Sequence, residues 1–158
     1  MLGVRKDHAV GNDPFLTSIL VAQAVASLAM TGLIWTIQLV HYPLMRAVPA
    51  SAFVEYEAEH TRRITWIVGP LMAVEGICVL VLLALRPSEM SWWLPWAGAL
   101  AEAVAIGVTA FVSAPTHGRL SAGHDDRLLD RLITTNWLRT AAWTARGVLS
   151  VVMLLQVH

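Results

Sequence analysis

Four titratable side chains stand where the apolar segments of this chain begin or end. His41 closes the first apolar segment, Glu57 and His60 precede the second, and His117 follows the third. A carboxylate three residues from an imidazole lies on the same face of a helix, and such a pair suits proton transfer near neutral pH. The sequence therefore predicts four catalytic residues: His41, Glu57, His60 and His117.

The same four side chains are donor types that iron, zinc or copper accept. Glu57-x-x-His60 also has the spacing of di-iron carboxylate bundles, but those proteins carry the motif on two helices. This chain carries it once. A metal or haem site is therefore the less favoured interpretation, and the sequence names no cofactor.

Polar side chains recur on one face of the last apolar segment, with 3-4-3-4 spacing: Asn136, Arg139, Trp143, Arg146 and Ser150. An arginine that faces lipid at the membrane centre costs about 2.5–3.5 kcal/mol on insertion scales, so this face should point inward. Arg139 would hold an anionic or carbonyl group of a ligand, or alternatively reach towards lipid phosphates. The predicted ligand-binding residues are Gln38, Tyr42, Asn136, Arg139 and Trp143.

The deepest predicted charge is Arg146, and it needs an acidic partner. Glu75 lies fifteen residues after His60, and Glu102 lies fifteen before His117. At 1.5 Å per residue, each glutamate is about 22 Å along its helix from the level of His60 or His117. We predict a buried ion pair of Arg146 with Glu75, with Glu102 as the alternative. The pair would either compensate buried charge or form a proton or ligand site.

The composition identifies membrane helices as the elements that position these side chains. The 158 residues are 56% hydrophobic and 14% charged, with a mean hydropathy of +0.60, whereas soluble domains are about 45–50% apolar and about 25% charged. Eleven basic and eleven acidic residues balance, which argues against a nucleic-acid-binding face. The single cysteine, Cys78, excludes an internal disulfide and a Cys-based zinc cluster.

Four stretches are long enough to cross a bilayer, which takes about 20 apolar residues. We predict transmembrane helices at approximately 15–42, 64–85, 92–114 and 133–156 of a single domain covering 1–158. Asp13-Pro14 should start the first helix, and Pro43 and Pro115 should end the first and third. Amphipathic segments at 51–63 and 125–131 should extend the second and fourth. The predicted fold is an all-α, integral membrane, antiparallel four-helix bundle.

An antiparallel order brings the predicted site residues to one end of the bundle. The two connections at that end carry six Lys and Arg residues, and the opposite side, with Arg5, Lys6 and Arg86, carries three. The excess of positive charge favours the cytoplasm for the first end and the outside for both termini. The predicted location is the bacterial cytoplasmic membrane, the inner membrane.

Four phrases carry a resemblance to known proteins: Trp35-x-x-Gln38-x-x-His41-Tyr42-Pro43, Tyr56-Glu57-x-x-His60-Thr61-Arg62-Arg63, Pro115-Thr116-His117-x-x-Leu120 and Asn136-Trp137-x-Arg139-Thr140-x-x-Trp143. Over most of the chain they resemble a set of small uncharacterised bacterial four-helix integral membrane proteins. The last two are also distantly similar to the anthrone-oxygenase-like membrane family, which is implicated in oxidising or handling polycyclic aromatic intermediates. This chain has His117 where that pattern tends to have Asn. The resemblance implies the fold and the pocket location.

The predicted function is a polar intramembrane pocket near the cytoplasmic end that binds, and in the catalytic interpretation transforms, a small hydrophobic molecule. Two alternatives stay open: a proton-coupled or ion transporter acting as an oligomer, and a non-catalytic membrane subunit or assembly factor. Whether the protein is an enzyme is therefore open. The expected partners are the lipid bilayer, a small hydrophobic ligand and a second copy of the chain, and not a nucleic acid.

Overall fold

Four long helices make up most of the structure, a computed structural model that describes residues 13–157. Helix α1 spans Pro14–Met45, α2 spans Ala50–Ala84, α3 spans Trp93–Leu120 and α4 spans Asp126–Val157. Each is long and apolar enough to cross a membrane, and no strand occurs within residues 13–157. The predicted all-α class is confirmed, with four helices long and apolar enough to cross a membrane. Arg5 and Lys6, which entered the orientation prediction, lie outside the described residues.

Acidic residues cap the starts of α1 and α4. The Asp13 carboxylate accepts a hydrogen bond from the backbone N–H of Phe15 at 2.9 Å, and Pro14 occupies the first helical position. Asp125 accepts from the N–H groups of Arg127 at 2.8 Å and Leu128 at 3.1 Å. Each carboxylate satisfies a helix N–H that has no partner within its own helix.

Two prolines that were expected to end helices lie inside them. In α1 an α-helix at Pro14–Thr36 leads into a π-helical turn at Ile37–His41 and an α-helical end at Tyr42–Met45. In α3 the same order occurs: Trp93–Val108, a π turn at Thr109–Ser113, then Ala114–Leu120. The N–H of Tyr42 donates to the carbonyl of Ile37, five residues earlier. This widened turn accommodates the proline ring that follows it, so the helix continues where an ordinary α-helix would break.

The observed bounds therefore differ from the predicted ones at several ends. Helices α1 and α3 run beyond the predicted ends at 42 and 114, to Met45 and Leu120. Helices α2 and α4 include the amphipathic residues 51–63 and 126–131 within continuous helices.

Helix α4 packs against both α1 and α3, and α1 also packs against α2. Apolar side chains form two buried clusters. One includes Met30, Met45, Phe53, Leu120 and Leu132, and the other includes Leu20, Leu82, Leu94 and Met153. Arg146 and Ser150 lie along α4 between Trp143 of the first cluster and Met153 of the second, and both are fully buried. Other buried polar side chains of α4 lie beside the first cluster. Polar groups therefore occur both between the two apolar clusters and alongside the first.

The deepest polar cluster joins Arg146 to α1 and α3. Its Nε donates to Glu102 Oε2 at 3.3 Å, and its Nη2 donates to Gln23 Oε1 at 2.9 Å. Glu75, the partner we predicted first, instead accepts from the Ser27 hydroxyl at 2.6 Å and from Trp143 Nε1 at 3.1 Å. The ion pair is thus formed with the alternative partner, Glu102.

Gln23 of α1 completes this deep polar cluster. It is 1% exposed and contacts both Arg146 and Met153. Gly98 of α3 makes room for this arrangement: a Cβ there would lie 2.9 Å from Arg146 Nη1 and 2.9 Å from the Met153 methyl carbon. A side chain here would require the Arg146 guanidinium and the Met153 methyl group, both in the buried interior, to move.

Replacing Gly98 should therefore weaken the fold. Gly98→Ala would push Arg146 away from Glu102 inside a packed interior, and we expect a loss of about 1–3 kcal/mol, the usual cost of overpacking. The matched control is Gly107→Ala on the same helix, where nothing lies within 4 Å of the new methyl group. Alanine forms helix better than glycine by about 1 kcal/mol, so the control should unfold at the same or a higher temperature. Thermal unfolding of detergent-solubilised protein, followed by circular dichroism, compares them, and equal destabilisation would contradict this explanation.

Candidate functional site

The polar face of α4 points inward, as its spacing predicts. Arg139 is 5% exposed, and the other four side chains of the face are fully buried. Trp143 lies at the centre of the face, with the Arg139 guanidinium 5.2 Å from its ring centroid and its own Nε1 bonded to Glu75. The indole therefore connects the deep polar cluster to a second one nearer the start of α4.

A carboxylate, an imidazole and a phenol form a chain across three helices. His117 of α3 pairs through Nδ1 with Glu57 of α2, and its Nε2 lies 3.1 Å from the Tyr42 hydroxyl of α1. An ionised carboxylate only accepts hydrogen bonds. This pairing therefore places the His117 proton on Nδ1 and leaves Nε2 to accept from Tyr42. Glu57 and Tyr42 are buried and the His117 side chain is 13% exposed, so the two ends of the chain are shielded from solvent.

Amide and guanidinium groups form a second chain beside the first. Asn136 Nδ2 donates to Gln38 Oε1 at 2.7 Å, and Arg139 Nη1 donates to Asn136 Oδ1 at 2.9 Å. Ser113 lies 3.5 Å from the same Nη1, and the Tyr42 hydroxyl also interacts with the guanidinium. The two chains meet at Tyr42 and Arg139.

Arg139 has no acidic partner in direct contact among the described residues. No ion pair of Arg139 with a carboxylate occurs within residues 13–157, and its Nε has no hydrogen-bond partner there. A buried charge without a partner costs several kcal/mol. The Arg139 guanidinium therefore lacks an anion or another strong acceptor at its Nε.

His41 and His60 stack face to face instead of converging on one point. Their ring centroids are 4.1 Å apart and their planes differ by 26°. The lone pairs of stacked imidazoles run side by side, so they do not meet at a shared metal ion. Among the described residues no three His, Cys, Asp or Glu side chains are arranged to hold a metal. The four residues of the less favoured metal-site interpretation, His41, Glu57, His60 and His117, are therefore not arranged as such a site.

A cavity of about 270 Å³, here called the inner cavity, lies between α2 and α3. Its polar lining includes Tyr42, His60, His117 and Arg139, and its apolar lining includes Ile37, Ile64, Val68 and Met72. Of the predicted site residues, the inner cavity thus brings together one phenol, two imidazoles and one guanidinium. Gln38, Asn136 and Glu57 lie behind these groups and hold them in place.

Two tryptophans take positions that the sequence did not suggest. Trp35 is 38% exposed, donates from Nε1 to the Thr144 hydroxyl at 3.0 Å and packs edge-on against Trp137. It lies on the outer surface between α1 and α4. Trp143 lies beneath Arg139 and is not among the residues that line the inner cavity. Its role is to support the guanidinium.

A second cavity of about 530 Å³, here called the outer pocket, lies where α1 ends and α2 begins. Its lining includes His41, Glu55, Tyr56, Glu59 and Arg63. His60 lines both the outer pocket and the inner cavity. The His41–His60 stack is therefore part of the wall between the two spaces.

Neither Ser27 nor Ser113 was among the predicted site residues, although the sequence contains a signal for each. Gln23, Ser27 and Thr31 recur every four residues in an otherwise apolar helix, which is the period of one helical face. In the structure all three are hydrogen-bonded, and Thr31 donates to the carbonyl of Trp143 at 2.9 Å. Ser113 has a comparable signal, since Thr109, Ser113 and His117 also recur every four residues, and in the structure it lies at the end of a π turn.

No family model, curated protein or solved structure matches this chain. The resemblance to the anthrone-oxygenase-like family therefore stays a prediction, and the site is interpreted from its own geometry.

Removing the Asn136 side chain should destabilise the protein without touching the cavity lining. In Asn136→Ala, Gln38 Oε1 loses its donor and Arg139 Nη1 keeps only the longer contact with Ser113. Because both atoms are buried, we expect the free energy of unfolding to fall by about 1–3 kcal/mol. Thr134→Ala, at an exposed position two residues earlier, is the control and should change stability little. Thermal unfolding in detergent measures both, and an unchanged Asn136→Ala would show that the second chain does not hold the helices together.

Proposed function

We propose that this protein binds a small hydrophobic molecule that carries an anionic or carbonyl oxygen, and that the inner cavity is the binding site. The observation that carries the proposal is Arg139. Its guanidinium is 5% exposed, lines the cavity and has a partnerless Nε among the described residues. A ligand oxygen would supply the acceptor that the fold leaves out.

The other walls of the inner cavity suit the apolar part of such a ligand. Ile64, Val68 and Met72 lie on successive turns of α2 along one side, and small-molecule sites commonly combine apolar walls with a few placed polar groups. The polar groups meet at one end, around Tyr42 and Arg139. This asymmetry favours a ligand with one polar head and an apolar body.

The ligand would reach the cavity from the side, through the gap between α2 and α3. Thr65 and Gly69 line the cavity and are also exposed on the outer surface of α2. In a bilayer that surface faces acyl chains, so a hydrophobic molecule could pass from lipid to Arg139 without crossing water.

The proposal includes a membrane placement that follows from the sequence. The four helices would form an antiparallel bundle in a bacterial cytoplasmic membrane, with the amphipathic starts of α2 and α4 extending beyond the bilayer. The excess of arginine in the α1–α2 and α3–α4 connections supports placing these connections in the cytoplasm. The partners would be the bilayer and the ligand, and transport or a purely structural role are the alternatives that the binding experiments test.

Removing the Arg139 charge should weaken anion binding selectively. The probes are radiolabelled 1-naphthoate and its neutral analogue 1-naphthalenemethanol, measured by equilibrium dialysis against protein in nanodiscs, with empty nanodiscs as background. A hydrogen bond to a charged group is worth about 1.5–3 kcal/mol, so Arg139→Gln should raise the Kd for naphthoate about 10- to 150-fold. The Kd for the alcohol should change little.

The control for charge removal is Arg131→Gln, at an exposed position on the same helix. It should bind both probes as the wild-type protein does. Equal weakening of naphthoate and alcohol in Arg139→Gln would point to a structural role for Arg139. Absence of specific naphthoate binding to the wild-type protein would count against the proposed function.

Filling the side opening should block both probes. No atom lies within 4 Å of the position that a Cβ would take at Gly69, so Gly69→Leu should fold normally while placing its side chain at the cavity lining. Gly76→Leu, two turns later on α2, is also free of neighbours within 4 Å but does not line the cavity. Dialysis should show lost binding for Gly69→Leu and intact binding for Gly76→Leu. Intact binding in both would exclude the α2–α3 gap as the route.

A further inference from the structure

The groups around His117 balance in charge only while the inner cavity holds no anion. Glu57 and His60 face His117 from α2, Tyr42 and His41 from α1, and Arg139 lies beyond Tyr42 on α4. Counting Glu57 as ionised, Arg139 as protonated and the imidazoles as neutral, the formal charges of the cluster sum to zero. An anion at Arg139 would add one negative charge in a space shielded from water, where uncompensated charge is costly.

We propose that the inner cavity takes up its anionic ligand together with one proton, and that His117 holds this proton. The inference rests on the proposed function, because it concerns the same cavity and the same ligand class. The proton restores neutrality: Glu57 would then face a charged imidazolium, and the ligand would face Arg139. Each buried charge would have an opposite charge near it.

Protonation of His117 would also change the hydrogen bonding of Tyr42. Without it, Tyr42 donates its hydroxyl hydrogen to His117 Nε2, 3.1 Å away. Once Nε2 is protonated, it can only donate, so the Tyr42 oxygen accepts from it and the hydroxyl hydrogen is released to another acceptor. Tyr42 lines the inner cavity. Protonation of His117 therefore turns Tyr42 into a donor towards the ligand oxygen beside Arg139.

The position of His60 provides a path for the proton. It lines both the outer pocket and the inner cavity, and its ring centroid is 5.6 Å from that of His117. The outer pocket is bounded by exposed residues of the amphipathic start of α2, including Glu55. A proton from solution would thus pass by way of the imidazole of His60, while its final position is His117.

The test measures 1-naphthoate binding as a function of pH, in nanodiscs containing the full-length protein. Naphthoate stays ionised from mildly acidic to mildly alkaline pH, so a pH dependence reports on the protein. Uptake of one proton predicts that Kd rises with pH, approaching about tenfold per pH unit over the range in which His117 is neutral without the ligand and protonated with it. Calorimetry in two buffers of different ionisation enthalpy should give about one proton taken up per naphthoate. The neutral 1-naphthalenemethanol should take up none.

Variants assign the proton to its residue. His117→Asn, and His117→Gln as a second replacement should the first not fold, should make naphthoate binding weak and independent of pH. His60→Asn should keep the uptake of one proton, because His60 only passes it on. A pH-independent Kd in the wild-type protein, or proton uptake that persists in His117→Asn and disappears in His60→Asn, would overturn the proposal while leaving the binding function intact. Absence of naphthoate binding at every pH would instead refute the proposed function.

Discussion

The exclusion of uncompensated charge from an apolar environment is the constraint on which this structure depends. Two arginines, three glutamates and several amides lie buried in helices long and apolar enough to cross a membrane, and hydrocarbon offers them no hydrogen bonds. They can be accommodated only where helices present them to one another. Helix α4 does this with a single face, which explains why it packs against both α1 and α3.

That face divides into two clusters whose arginines differ in their partners. In the deep cluster Arg146 has both a carboxylate and an amide oxygen, and Glu75 has two donors. Arg146 Nη1 and Glu102 Oε1 have no partner among the described residues, but neither residue lines the inner cavity. In the cluster nearer the start of α4, Arg139 has neutral partners, and it lines the inner cavity with its Nε unpartnered. In the proposed function, a ligand oxygen supplies the acceptor that Arg139 lacks.

The π turns of α1 and α3 explain how the site could be placed inside the helices. Each turn precedes a proline by two residues, and each is followed within four residues by a side chain of the carboxylate–imidazole–phenol chain, Tyr42 in one helix and His117 in the other. Turns of this kind occur frequently at functional sites, where they redirect side chains without ending the helix. Sequence rules treat proline as a helix end, so they misplaced both helix termini here and could not show the redirection.

The sequence by itself determined the four helices, the capping of the first, and the inward face of α4, because hydropathy and a 3.6-residue period are properties of one segment at a time. It also indicated which polar residues would gather at one end. Only the tertiary structure decided that Arg146 pairs with Glu102, that Trp35 lies outside while Trp143 supports Arg139, and that His41 and His60 stack. These outcomes depend on how far each helix rotates about its axis and on close approaches such as that at Gly98. The rotation of a helix and its distance from its neighbours are set by packing between segments, so they cannot be derived from the periodicity of one segment.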